Sequence, residues 1–220
     1  MRNLKFANKE YYHIYNRGTD KRDIFLEKED VWRFYKSLIL LNSVEKIGSL
    51  YENSFKKKNK IKLGSSAPKL VNIVAYCLNQ NHFHLILEQV ADNGISKFMH
   101  RLSTGYTNYF NEKNKRTGSL FEGRYKAKHI SSNEYLLHLG VYVNLNDRVH
   151  KGMNKEWMKE LPFSSFNEYV NKNIKGICKK DIILGQFKNE KDFIKYCLEV
   201  LPIIKKRKED LKEFKNICIE

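Results

Sequence analysis

Cysteine is sparse in this chain and scattered: Cys77, Cys178, Cys197 and Cys218 form no C-x-x-C pair. That spacing indicates neither a zinc knuckle nor a redox couple, and it suits a reducing cytoplasmic setting. Long apolar runs are missing as well. No stretch approaches the roughly 20 residues needed to span a bilayer, and the start, Met1-Arg2-Asn3-Leu4-Lys5, lacks the apolar core of a secretory signal. Acidic residues are outnumbered, with 25 Asp+Glu against 41 Lys+Arg and a net charge of +16. Such an excess points to a polyanionic partner, although lysine richness also arises from compositional bias.

What is present is globular. Hydrophobic residues make up 41% and aromatics 13% of the 220, which separates the chain from disordered sequences and gives it a core to bury. We expect a domain over residues 1–150 and a helical extension over 151–220 packed against it.

The order of elements is legible from periodicity. Tyr11–Arg17 reads as a strand ended by Gly18. Lys28–Leu41 has acidic residues early and Val31, Phe34, Leu38 and Leu41 at helical spacing. A polar, basic stretch over about 45–69 follows, with Lys56-Lys57-Lys58-Asn59-Lys60 inside it, and reads as a long insertion. Leu70–Leu78 is nearly all apolar and suits a central strand; after the turn Asn79-Gln80-Asn81, a second strand runs from His82 to Gln89. A helix from about Asn93 carries Ile95, Phe98, Met99, Leu102, Tyr106 and Tyr109 on one stripe, and Ser119–Ala127 is the last strand candidate. The order β-α-β-β-α-β predicts an α+β, ferredoxin-like antiparallel sheet with helices on one face, followed by a further helix and the extension. That fold serves many functions and decides none.

Two groups of residues carry chemistry. In Asn81-His82-Phe83-His84-Leu85 the histidines fall at strand period, so both imidazoles project from one face while Phe83 and Leu85 enter the core. Paired neutral imidazoles suit a divalent metal, though an H-x-H alone also fits histidines with no such role. The second group lies on the helix after Ser131-Ser132-Asn133-Glu134, which has capping-box spacing. That helix is apolar nearly all round, except that His138, Tyr142 and Asn146 recur every four residues along one face. The stripe is either a wetted surface or a row of groups facing the histidine pair, with Asn146 supplying a third ligand.

The quoted pieces also form an ordered set. Tyr12-His13-Ile14-Tyr15-Asn16-Arg17-Gly18, Asn81-His82-Phe83-His84-Leu85 and Gly118-Ser119-Leu120-Phe121-Glu122-Gly123-Arg124-Tyr125-Lys126 come first. Tyr142-Val143-Asn144-Leu145-Asn146 and Leu161-Pro162-Phe163-Ser164-Ser165-Phe166-Asn167-Glu168-Tyr169 follow. Together they resemble the single-tyrosine HUH transposase family, most of all its REP-associated tyrosine transposase branch. The resemblance implies that His82, His84 and Asn146 bind Mg²⁺ or Mn²⁺ and that Tyr142 is the nucleophile. It further implies an attack on single-stranded DNA, beside a hairpin, that leaves a 5′-phosphotyrosine and a free 3′-OH, and it leaves a homodimer open. The chain departs from the family pattern at Asn79-Gln80, where Met-Pro is usual, and at Asp147-Arg148-Val149, where Pro-Val-Arg is usual.

Arg17, Arg116, Arg124, Lys126 and Lys128 are candidate phosphate contacts, and Tyr125 is a candidate for stacking on a base. Tyr106, Tyr109 and Tyr125 are rival nucleophiles, the first two better read as core. His13 and His138 are weaker site candidates. Trp157, Phe163, Phe166 and Tyr169 are expected to pack back on the first domain, and Glu190–Glu213 to form one or two helices interrupted at Leu201-Pro202 before the basic run Lys205-Lys206-Arg207-Lys208. Two other readings remain: an inactive or domesticated relative that binds hairpin DNA, and an RNA-binding module of the same fold, which would need exposed aromatics where the histidines stand.

Overall fold

The computed structural model describes residues 4–45, 68–149 and 163–217. Nearly all of the basic insertion, and Trp157, Leu161, Pro162 and Cys218, lie outside them. The elements run β1 (Tyr11–Arg17), α1 (Lys28–Leu40), β2 (Val71–Asn79), β3 (His82–Gln89), α2 (Gly94–Lys113), β4 (Lys126–His129), α3 (Asn133–Asn144), α4 (Asn146–Val149), α5 (Phe166–Val170), α6 (Asp181–Leu184) and α7 (Glu190–Ile217). The strands form one sheet in the order β2-β3-β1-β4, with every pairing antiparallel. This is the α+β, ferredoxin-like arrangement expected from the sequence.

Each face of the sheet buries a separate core, because both faces of β1, β2 and β3 are covered. Tyr12, Ile14, Phe83, Leu85 and Leu87 point toward α1 and α2, where they meet Val31, Phe34, Leu38, Phe98, Leu102 and Tyr106. Ala75, Cys77 and Ile86 point the other way and pack with Leu139, Val143, Tyr169, Ile183 and Phe193 of the later helices. A register shift between Ile73 and Ala75 in β2 accompanies the change of face, with Val74 and Ala75 both joining the second core. Gly140 lets α6 approach α3 closely, since a Cβ there would stand 2.8 Å from Ile183 Cδ1.

The 163–169 segment fastens onto the outer edge of β2. Leu78 N donates to Phe163 O at 2.6 Å, and Ser165 N to Tyr76 O at 3.0 Å. Tyr169 Oη donates to the Val74 carbonyl at 2.7 Å, and Tyr76 Oη to the buried Glu168 carboxylate at 3.0 Å. Phe163 and Tyr169 thus pack back onto the sheet as expected.

Three local expectations are corrected. The strand read over Ser119–Ala127 begins only at Lys126: Gly118 and Gly123 adopt φ of +82° and +65°, which interrupts an extended ladder, and only Phe121 bridges to Gly18. The helix cap is Ser132, not Ser131; its side chain accepts from Tyr135 N, so Glu134 lies in the first turn rather than closing a capping box. Finally, α7 runs unbroken through Pro202, whose exposed position leaves the Leu198 carbonyl, deprived of its usual donor, within reach of water.

Asp30 joins the two helices of the first core. Fully buried, it accepts from Leu26 N at 2.8 Å and Glu27 N at 3.0 Å, and from Lys113 Nζ at 2.8 Å and Tyr109 Oη at 3.0 Å on α2. Asp30→Ala removes the acceptor of Leu26 N, Glu27 N and Tyr109 Oη, with Lys113 left only its bond to Glu27, and should cost about 2–4 kcal/mol. Urea unfolding checks this, and a loss below about 1 kcal/mol would show that water replaces the carboxylate.

Candidate active site

The register of the sheet assembles the site on the face that α3 covers. Directly paired antiparallel residues share a face, so Arg17, His82 and Asn79 form one row across β1, β3 and β2. Lys126, Tyr15, His84 and Cys77 form the next, and Lys128, His13, Ile86 and Ala75 the one after. Both histidines of the H-x-H pair therefore stand in the middle of the sheet, flanked by the basic residues of β1 and β4.

The orientation of His82 follows from its hydrogen bonds. Asn81 Nδ2 donates to Lys21 O at 3.1 Å, which turns Asn81 Oδ1 toward His82 Nδ1 at 2.6 Å. A carbonyl oxygen only accepts, so this arrangement assigns the ring proton to Nδ1 and the lone pair to Nε2. Nε2 receives Asn79 Nδ2 at 3.0 Å and lies 3.3 Å from Asn146 Oδ1. Asn79 Nδ2 also donates to Asn146 Oδ1 at 2.8 Å. Two Lewis bases thus converge, with an electropositive amide between them. Burial, opposed by Asn146 and aided by the charges of Lys208 and Arg17, lowers the His82 imidazole to about 4 and keeps it neutral.

His84 stands beside it, the ring centroids 5.2 Å apart and the rings near perpendicular. Its Nδ1 is 2.9 Å from His13 Nε2. Burial first, and then Lys128, lowers His13 to about 4 and keeps that ring neutral. Tyr142 covers the pair edge-on, its ring 5.4 Å from that of His84. Burial pushes the phenol above its usual value, while the amide of Asn146 close by pulls it down.

α3 ends at Asn144, and the turn at Leu145 separates Tyr142 in the last helical turn from Asn146 at the start of α4. Both nevertheless reach the same cluster. The buried Asn144 side chain accepts from Ser165 Oγ at 2.7 Å, and Ser165 Oγ accepts from Tyr76 N at 2.9 Å, so the end of the helix is tied to β2.

The residues fit a divalent cation. Among the described residues no group of three or more His, Cys, Asp or Glu side chains forms a metal site, so a third side-chain ligand beside His82 and His84 would be of another type, such as an amide. Asn146 provides one: its Oδ1 faces His82 Nε2 at a separation near the roughly 3 Å between neighbouring ligands around a cation with ~2.1 Å bonds. The buried Asn146 Nδ2 has no hydrogen-bond partner, so its amide plane is not fixed against such a role.

A cleft of about 320 Å³ opens over the cluster, lined by Tyr15, Asn16, Arg17, Lys21, Asn81, His82, His84, Lys126 and Tyr142. Arg17 and Lys126 therefore reach the site, although Arg17 also forms an exposed pair with Glu122. Lys128 stands one row along β4 with its ammonium 4.9 Å from the Tyr135 ring centre. Arg124 is exposed beside the strand but does not line the cleft. Arg116 lies over the Phe110 ring, and Tyr125 packs against the α1/α2 core. Tyr106 and Tyr109 belong to that core too, and His138 does not line the cleft. Sequence reasoning overlooked Lys21, Tyr15, Asn79 and Asn81; only Tyr15 carried a signal, its period-two alternation with His13.

Residues 49–146 match the family model described as transposase, IS200-like, a span that includes both histidines, Tyr142 and Asn146. The matched span is therefore similar to DNA transposases of the single-tyrosine HUH family. Its fold is similar to that of a solved structure described as a REP-associated tyrosine transposase bound to a REP hairpin, at 13% identity and a TM-score of 0.53, covering 80% of this chain and 88% of the other. No curated protein matches the chain. No helix among the described residues is long and apolar enough to cross a membrane.

Replacing His82 or Asn146 by alanine should weaken Mn²⁺ binding at least about tenfold by isothermal titration calorimetry. Unchanged affinity in both variants would place the cation elsewhere.

Proposed function

We propose that the protein cuts and rejoins single-stranded DNA through a covalent 5′-phosphotyrosine at Tyr142, next to a hairpin in the strand. The observation that carries this reading is the meeting of the Tyr142 ring with His82, His84 and Asn146 over one basic cleft, all within a single chain. The similarity to a transposase bound to a REP hairpin supports the hairpin part of the reading.

His82, His84 and Asn146 hold Mg²⁺ or Mn²⁺ in this proposal. Such a cation, when bound, would supply Lewis-acid polarisation of a phosphate. The protein's own groups do the remainder. Arg17, Lys21 and Lys126 at the rim receive phosphates of the incoming strand, and Lys128 and Arg124 lie further out, on and beside β4. The Arg17–Glu122 pair is exposed and weakly held, so Arg17 can exchange its carboxylate for a phosphate. The edge-on contact with the His84 ring orients Tyr142.

Because burial raises the phenol, Tyr142 is protonated at neutral pH and loses its proton as it attacks. Its oxygen bonds to phosphorus, the bond from phosphorus to the 3′-oxygen breaks, and that oxygen takes up a proton to leave as a hydroxyl. Rejoining reverses these steps on a new 3′-OH and restores the phenol. The ester conserves the bond energy, so no nucleotide triphosphate is consumed. One chain carries both nucleophile and metal ligands, so a homodimer would contain two complete sites. The cytoplasm gives such an enzyme access to its DNA.

A denaturing gel tests the reading. Wild type, incubated with Mn²⁺ and 3′-labelled single strands tiled across the DNA flanking its own gene, should yield a protein-linked label. The label should vanish with EDTA and in Tyr142→Phe. An adduct persisting in the variant would move the nucleophile elsewhere. Hairpin binding without any adduct would favour the inactive binding relative.

A further inference from the structure

The C-terminal helix carries a motif that the site described above does not use. On α7, Phe193, Cys197, Val200 and Ile204 recur at steps of four, three and four residues and are all buried in the second core. The next step of three or four reaches Arg207 and Lys208, on the same stripe but past the point where the core ends. α7 packs on α3 and α4, the elements that deliver Tyr142 and Asn146, and Tyr142 itself packs against the same core as the buried stripe. Lys208 is half-buried and Arg207 exposed.

Electrostatics agree with that placement. Both His82 and His138 are lowered mainly by burial, with Lys208 acting further on His82 and Arg207 on His138, one turn before Tyr142. Across the cleft stand Arg17, Lys21 and Lys126. Cations therefore flank the site from two sides that are remote in sequence: the sheet rim and the last helix.

We propose that Arg207 and Lys208 form the second wall of a phosphate track, so that a single DNA strand is held between α7 and the β1–β4 rim as it crosses Tyr142. This rests on the single-stranded DNA reading above and assigns the C-terminal helix a substrate-binding role. Apolar residues of α7 hold it in the core, and its basic end grips the strand.

Fluorescence anisotropy with fluorescein-labelled oligothymidine over a KCl series tests it. Arg207→Ala/Lys208→Ala should bind about tenfold more weakly at low salt, with the slope of log affinity against log salt flatter by about 1.4, the loss of two single-strand phosphate contacts. Arg207→Lys/Lys208→Arg should retain the wild-type slope. Lys191→Ala/Lys195→Ala removes the same charge from exposed positions near the start of α7 and should leave the slope nearly unchanged. Circular dichroism melting confirms that each variant is folded. Wild-type affinity and slope in the Arg207/Lys208 double alanine variant would overturn the proposal, as would an equal loss in the Lys191/Lys195 control. Failure of the wild type itself to bind would instead overturn the single-stranded DNA reading, and this inference with it.

Discussion

The antiparallel register between β1 and β3 governs the rest of the molecule. Tyr15 pairs with His84 and Arg17 with His82, which puts imidazoles, a tyrosine and basic side chains on one face. On the other face the intervening Phe83, Leu85 and Ile14 are fully or almost fully buried against α1 and α2. A slip of one residue would send the imidazoles into the apolar core and the phenylalanine into the cleft. The same hydrophobic burial that stabilises the sheet therefore specifies which side carries the imidazoles.

Placing polar groups on a covered face requires partners for them, and the later helices meet that need. Asn144, Ser165 and the Tyr76 backbone form a buried chain of hydrogen bonds, and Glu168 takes the Tyr76 hydroxyl and Cys178 N. Each bond would leave an orphaned polar group if the 163–169 segment were removed. This segment therefore belongs to the architecture of the site even though it contributes no group to the cleft. It holds the end of α3 against β2, and with it the position of Tyr142.

Much of this was legible from periodicity. β3 spans His82–Gln89 as its sequence suggests, since the imidazoles of His82 and His84 alternate with the apolar Phe83 and Leu85. The four-residue spacing of Tyr142 and Asn146 brought them to one cluster despite the turn at Leu145, since a single non-helical residue barely shifts the phase. The missing parts depend on backbone geometry or on distant partners. The glycines at 118 and 123 sit inside a segment whose side chains read as strand, and their left-handed conformations are set by how Leu120 and Phe121 plug into the first core. Asn79 looked like a turn residue, yet it touches His82 and Asn146, the latter 67 positions away. Pro202 looked like a break, but an exposed proline in a helix anchored by Phe193, Cys197, Val200 and Ile204 on the opposite side does not end it.

The manner in which the sheet ends has a consequence for how the protein behaves in a crowded solution. A strand edge with unpaired amides invites other chains to add to it. The β2 edge is occupied by the backbone of residues 163–165. The β4 edge is left with four residues, two of them exposed lysines. A short edge bearing like charges repels a second copy of itself, so self-assembly by strand addition is discouraged at that margin of the sheet. The two lysines of β4 thus have a further part to play at the sheet margin, discouraging strand addition by a second copy.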